Sequence, residues 1–256
     1  MSRRRFLQMG AVAAAQPRLS THASDLGGTI VDLSHVLGED FPTYPGIAPA
    51  QRTEVISIER NSLYAQAWTF NEHTGTHMDA PAHIIADGAT VPELPPEMLI
   101  GPAVVIDIDA AASENADAMV TIDDITTWEA TNGTIPPGAY VFMYSGWAEV
   151  LANRGANAYY GRDANNRLHF PGFSPQAAQF LVNERDIKGV GTDTFSIDTG
   201  NALRFDVHFT VLGAGMVGIE NLANLAAIKD TVATVILGIP KYRAGSGGPL
   251  RVLAFH

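Results

Sequence analysis

Asn71-Glu72-His73-Thr74-Gly75-Thr76-His77-Met78-Asp79-Ala80-Pro81-Ala82-His83 is the stretch from which the rest of this sequence is read. It gathers three of the eight histidines and a carboxylate within eleven residues. His73, His77, Asp79 and His83 all stand at odd positions, so an extended chain, whose side chains alternate in direction, sends them to one side. A helix would also align His73 with His77, as in the HExxH pattern of zinc proteases, but Gly75, two β-branched threonines and Pro81 oppose one. The expectation is an extended segment that turns at Gly75 and Pro81.

Two imidazoles and a carboxylate form an N/O ligand set for Zn²⁺, Mn²⁺ or Fe²⁺. Three protein ligands leave coordination positions open, which is the habit of catalytic sites. The plain alternative is a polar loop whose histidines cap turns or sit satisfied in the core. Four candidate groups so close together weigh against it.

The run from His73 to His83 resembles the signature of the cyclase-type metal-dependent hydrolases, a family that includes bacterial kynurenine formamidases and isatin hydrolases. A second stretch, His208 to Asn224, is similar to the family's C-terminal segment, in which a histidine and a glutamate twelve positions later complete the metal site. His208 and Glu220 stand at that spacing. The resemblance implies that His73, His77 and Asp79 hold one ion and that Asp79, His208 and Glu220 hold a second. Zn²⁺ or Mn²⁺, as one ion or two, is the expected cofactor. The run Gly191-Thr192-Asp193-Thr194 to Asp198 also looks like the family, where it lies near the active site.

The chemistry expected of such a site is hydrolysis of an amide-type C–N bond in an aryl formamide or cyclic amide. A divalent ion lowers the pKa of its water from 15.7 to about 7, and the resulting hydroxide attacks a carbonyl. His83 is the expected general acid/base, because an unperturbed imidazole pKa near 6.5 suits both removing and returning a proton. The turn-rich Phe41-Pro42-Thr43-Tyr44-Pro45-Gly46 resembles the family turn that brings an aromatic over the substrate, so Tyr44 is the candidate contact for a small molecule with an apolar ring. Kynurenine formamidases tend to carry tryptophan there. Lactone hydrolysis and a non-catalytic periplasmic metal-binding protein are the competing readings.

Gly213-Ala214-Gly215-Met216-Val217-Gly218 formally matches the dinucleotide fingerprint. That fingerprint needs a strand before it, a helix behind it and an acidic residue about 20 positions on. Here the last acidic residue, Asp230, comes only 12 positions after Gly218. Nicotinamide binding is not expected.

Four of the 16 basic residues and none of the 27 acidic ones fall in residues 1–23, so the net charge of −11 becomes −15 from residue 24 onward. Such a surface repels nucleic acid and anionic lipid. Cysteine is absent, which excludes thiol nucleophiles and thiolate ligands. Arg3-Arg4-Arg5-Phe6-Leu7, with apolar residues to Ala15, resembles a twin-arginine export signal, so residues 1–23 are read as an address and the periplasm as the destination. No apolar stretch reaches transmembrane length, and no stable membrane association is expected.

Residues 24–256 read as one α/β domain with a mixed sheet or small barrel flanked by helices, and the resemblance implies a swivelling β/β/α fold. Ala103–Ile108 is a near-continuous apolar run and reads as a central strand covered on both faces. Tyr140–Tyr144, Ile187–Val190, Thr231–Gly238 and Pro249–Phe255 read as further strands. Thr121 or Asp123 caps a helix ending near Asn132-Gly133, and Ser174-Pro175 opens another through Glu184. Arg154–Arg167 reads as a surface loop or flap, and Lys241–Gly248 as a flexible loop. His169 has no partner group nearby in sequence and is left outside the site. The resemblance also implies a homodimer or homotetramer, with Phe41–Ile47 reaching into a neighbour's site.

Overall fold

The structure is a computed structural model that describes residues 28–256; the segment read as an export signal lies outside them. The first strands are β1 (Ile30–Asp32), β2 (Gln51–Ile56), β3 (Ala65–Thr69) and β4 (His77–Asp79). β5 (Ile100–Asp107), β6 (Met119–Val120), β7 (Ala139–Tyr144), β8 (Gly172–Phe173) and β9 (Ile187–Thr192) follow. β10 (Val217–Glu220), β11 (Ala233–Gly238), β12 (Gly247–Pro249) and β13 (Arg251–Phe255) complete the chain.

Nine of these strands make one curled, half-barrel sheet in the order β1-β13-β11-β5-β7-β9-β10-β4-β12. Its centre, β5 to β10, is parallel, and both flanks are antiparallel. β5 and β7 are the apolar runs seen in the sequence, and every residue of β7 is buried. Their side chains alternate between two cores. Val105, Tyr140 and Phe142 pack with Met78, Ile219 and Val235 in the curl of the sheet. Val104, Ile106, Val141 and Met143 pack outward on Ile125, Leu181 and Val211 from three covering helices.

Those helices begin where the sequence signals them. Thr121 caps Ile122–Asn132 by accepting from the Asp124 N–H, and Ser174 caps Pro175–Glu184 through the Ala177 N–H. Each such cap contributes about 1 kcal/mol. Only from Gly161 onward is Arg154–Arg167 the loop expected of it. A helix runs from Trp147 to Tyr160 and absorbs a kink at Gly155, whose φ of +78° is open to glycine at little steric cost.

Two registers place the site. β4 lies antiparallel to β10 with His77 opposite Glu220 and Asp79 opposite Gly218. Opposed residues share a face, as do residues two apart, so His77, Asp79 and Glu220 point the same way although 141 positions separate Asp79 from Glu220. On the other edge β12 pairs with β4, so the stretch read as the loop Lys241–Gly248 ends in strand at Gly247 and Gly248. A Cβ at Gly247 would press on the Met78 carbonyl and come 2.8 Å from the His73 ring, which is why this close approach needs glycine.

Candidate active site

The motif folds as its sequence suggests. Gly75 takes a left-handed φ of +69°, β4 carries His77 and Asp79, and Pro81 opens a single 3₁₀ turn that ends at His83. His208 comes from the buried side of the Asp206–Gly213 helix. The Gly213–Gly218 run joins this helix to β10, the reverse of the strand-to-helix order a dinucleotide site requires.

Of the six residues named from the sequence as ligands or acid/base, His73, His77, His83, His208 and Glu220 line one cavity of about 230 Å³, and Asp79 lies buried among them. Asp79 is its hub. Oδ1 accepts from His73 Nδ1 at 2.6 Å and lies 3.4 Å from His77 Nε2, while Oδ2 lies 3.4 Å from His208 Nε2. Glu220 spans the same pair of imidazoles, 3.3 Å from His77 and 3.2 Å from His208. His83 sits at the open side with its ring 3.8 Å from that of His73. Tyr44 lines the wall with Ile47, Phe195 and Phe205. The Phe41–Ile47 segment thus faces this chain's own cavity, and the Tyr160 hydroxyl anchors it by donating to the Thr43 carbonyl.

The donor set fits a divalent cation. His77 Nε2 and Asp79 Oδ2 are buried and lack a hydrogen-bond partner of good geometry, although each faces a ligand-type atom. Burial works against charge on His77, yet Asp79 and Glu220 outweigh it and raise its pKa to about 10. His208 is likewise driven up, against its burial, by Asp198, Asp79 and Glu220. Burial opposes ionisation of Asp79 as well, but hydrogen bonds from His208, His73 and His77 hold it well below the usual carboxylate range. Two imidazolium protons therefore balance two buried carboxylates, and one divalent ion carries the same charge. His83 moves the other way. Loss of water around its ring, reinforced by the neighbouring histidines, lowers its pKa and leaves it neutral at pH 7.

Supporting groups complete the site. Asp198 accepts from the N–H groups of Val207 and His208 and from His208 Nδ1 at 2.7 Å, capping the helix and turning Nε2 of the same ring toward Asp79. His77 Nδ1 faces the Gly75 carbonyl, which also accepts from the Asn221 side chain. Ser246 bridges His73 Nε2 and Glu72. Sequence reading named the run containing Asp198 without giving that residue a role. Ser246, Asn221 and Phe205 carried no local signal, because strand pairing and helix packing bring them in. His169, left outside the site, pairs at the surface with Asp117 at 2.8 Å.

The sequence pattern of the Cyclase family matches residues 31–199. The chain belongs to the cyclase family. Isatin hydrolase of Roseibium aggregatum is 32% identical over 244 residues, 88% of this chain and 90% of its own. The solved structure of isatin hydrolase A from Labrenzia aggregata bound to benzyl benzoate is 36% identical, with a TM-score of 0.84 over 92% of this chain and 96% of that one. Kynurenine formamidase of Geobacillus thermodenitrificans is 37% identical over 94 residues, covering 36% of this chain and 45% of that protein. Like its relatives in the cyclase family, this chain is a metal-dependent hydrolase of carbon–nitrogen bonds other than peptide bonds.

Proposed function

We propose that the chain hydrolyses the C–N bond of a small aryl formamide or cyclic amide, isatin among the candidates, in the cavity above Asp79. One observation carries this reading: donors from two distant segments converge on Asp79 beneath an aromatic wall. At about 230 Å³ the cavity falls below the roughly 300–1,000 Å³ of drug-sized pockets, so a one- or two-ring substrate suits it. Its nitrogen and oxygen donors, free of sulfur, favour Zn²⁺ or Mn²⁺. Asp79 presents Oδ1 and Oδ2 to different imidazoles, a bridging arrangement that accommodates one ion or two.

Held by His73, His77, Asp79, His208 and Glu220, a divalent ion supplies Lewis acidity and a water acidified towards neutrality. The chain's own groups do the rest. Tyr44, Phe195 and Phe205 receive the ring and exclude bulk water from the carbonyl. Burial raises the Tyr44 pKa, so its hydroxyl stays protonated and remains a hydrogen-bond donor. His83, neutral at pH 7, accepts the proton released on attack and returns it to the departing nitrogen. Asp198 keeps His208 in the tautomer that points Nε2 inward.

Elemental analysis of the purified protein, followed by a hydrolysis screen over formamides, lactams and lactones with and without chelator, tests the proposal. Chelator-sensitive turnover of a formamide or lactam is expected. Turnover of lactones alone would move the assignment to C–O bonds, and full activity in a metal-free preparation would end it.

A further inference from the structure

Gly245-Ser246-Gly247-Gly248 carries a single polar side chain, and that side chain is turned to the motif that holds His73. The segment is fixed there by its backbone. The Ser246 carbonyl accepts from the Ala80 N–H and the Gly245 carbonyl from the Val91 N–H, both at 2.9 Å, and Gly247 pairs with Asp79. Glycine before the serine permits so close an approach, since a Cβ at Gly245 would come 3.1 Å from Glu72 Oε1. Ser246 is thereby seated between Glu72 and the Nε2 atom of His73, although 173 positions separate it from that histidine.

Counting protons gives each of these bonds a direction. A carboxylate accepts and does not donate. Glu72 Oε2 takes the Ser246 hydroxyl proton at 2.6 Å and the Ser246 N–H at 3.1 Å, so the one proton on Oγ is spent. Only acceptor capacity remains on Oγ, and His73 Nε2, 3.0 Å away, must donate to it. A proton held on Nε2 leaves Nδ1 as the nitrogen open to a cation, and Nδ1 is the atom that faces Asp79 Oδ1 at 2.6 Å. The other two imidazoles are set the opposite way. Nδ1 of His77 faces the Gly75 carbonyl and Nδ1 of His208 faces Asp198, so each of those rings turns Nε2 inward.

We propose that Ser246 and Glu72 are positioning residues for His73, which they hold with its proton on Nε2 so that it binds a divalent cation through Nδ1. This rests on the reading of His73 as a ligand and goes beyond it in naming the atom that binds and the residues that select it. Partners of this kind, which fix the tautomer and orientation of a ligating imidazole, contribute about 10- to 100-fold in metal affinity. Without Ser246 the Nε2 proton has no fixed acceptor. Without Glu72 the Ser246 hydroxyl is free to turn and donate to Nε2, which favours the ring proton on Nδ1, where the cation has to sit.

Titration of the full chain with Zn²⁺ against a chelating dye, together with ring-nitrogen NMR of the histidine-labelled, Zn²⁺-loaded protein, tests this. Wild-type His73 should show a proton on Nε2 and none on Nδ1, with the reverse pattern at His77 and His208. Ser246→Ala should weaken Zn²⁺ binding about 10- to 100-fold with circular dichroism unchanged, and His73 should lose its single-tautomer signature. Glu72→Ala, an independent probe that leaves the β12 segment intact, should weaken binding and shift the signature as well. A wild-type His73 protonated on Nδ1 and bound through Nε2 would overturn the proposal, as would unchanged Zn²⁺ affinity in both variants. Weaker binding with the His73 signature intact would overturn it too, because the pair would then only support the loop. A wild type that takes up no Zn²⁺ would remove the metal site itself, and this proposal with it.

Discussion

Asp79 and Asp193 are equally sealed from water, at 0% and 1% exposure, and one ends β4 while the other directly follows β9 of the same sheet. Their surroundings drive them apart. Asp79 faces three imidazoles and is held well below the usual carboxylate range in spite of its burial. Asp193 faces only neutral donors, the Ser145 hydroxyl at 2.6 Å and the N–H groups of Ser145 and Trp147, with Glu149 adding repulsion, and burial pushes it up to about 6. Burial alone therefore does not define a functional carboxylate. Ionised and surrounded by imidazoles, Asp79 has the surroundings of a candidate ligand; Asp193, surrounded by donors that carry no charge, pins the start of a helix.

The sharpest way to break this contrast is to neutralise each carboxylate. Asp79→Asn should lose bound metal and at least about 10³-fold in kcat/KM, since it removes the negative charge and replaces one of the two oxygens that link the candidate ligands. Asp193→Asn should keep its metal while losing stability in urea, because backbone donors are left poorly matched. Metal loss in both variants would erase the distinction.

Within the cluster, His77→Ala should lose metal, whereas His83→Ala should keep it and lose about 10²- to 10⁴-fold in kcat. The rings of His73 and His83 are close, and donor atoms of His73, Asp79 and His83 fall within 4.8 Å of one another. Equal metal loss in the two variants would therefore make His83 a ligand in place of an acid/base. A smaller effect is expected at Asp198, which meets the cluster through His208 Nδ1. Asp198→Asn should weaken metal binding by roughly 10- to 100-fold, measured by competition with a chelating dye.

A change confined to stability, with none in metal content, is expected from the pH dependence of Asp193. Folding raises its pKa from 3.8 to about 6, so over that window the native state holds a proton that the unfolded chain has released. The resulting stabilisation is complete below about pH 4 and lost above about pH 6, a change of about 3 kcal/mol. Urea unfolding across that range, wild type against Asp193→Asn, should show the wild type losing ground as pH rises. A constant difference would mean that neutral donors suffice to keep Asp193 ionised.

What the sequence made legible was local. Gly75 and Pro81 marked the turns around β4, the apolar runs marked β5 and β7, and Thr121 and Ser174 marked helix starts. The His208 to Glu220 segment was recognised by resemblance, since nothing between residues 83 and 208 announces that β10 will lie against β4. The strand at the end of Lys241–Gly248 is hidden in the sequence for the same reason. A glycine-rich string looks flexible, but its glycines let β12 approach Met78 and His73, a contact with a strand more than 160 positions away. The helix from Trp147 to Tyr160 was hidden by Gly155, which imitates a loop signal.

Anomalous diffraction from crystals grown with Mn²⁺ or Zn²⁺ tests the central claim most directly. An ion is predicted at about 2.0–2.2 Å from both His77 Nε2 and a carboxylate oxygen of Asp79, with Glu220 or His208 also bound to it or to a second ion sharing Asp79. Ions held only by residues 73–83, with His208 and Glu220 left unbound, would contradict the two-segment site.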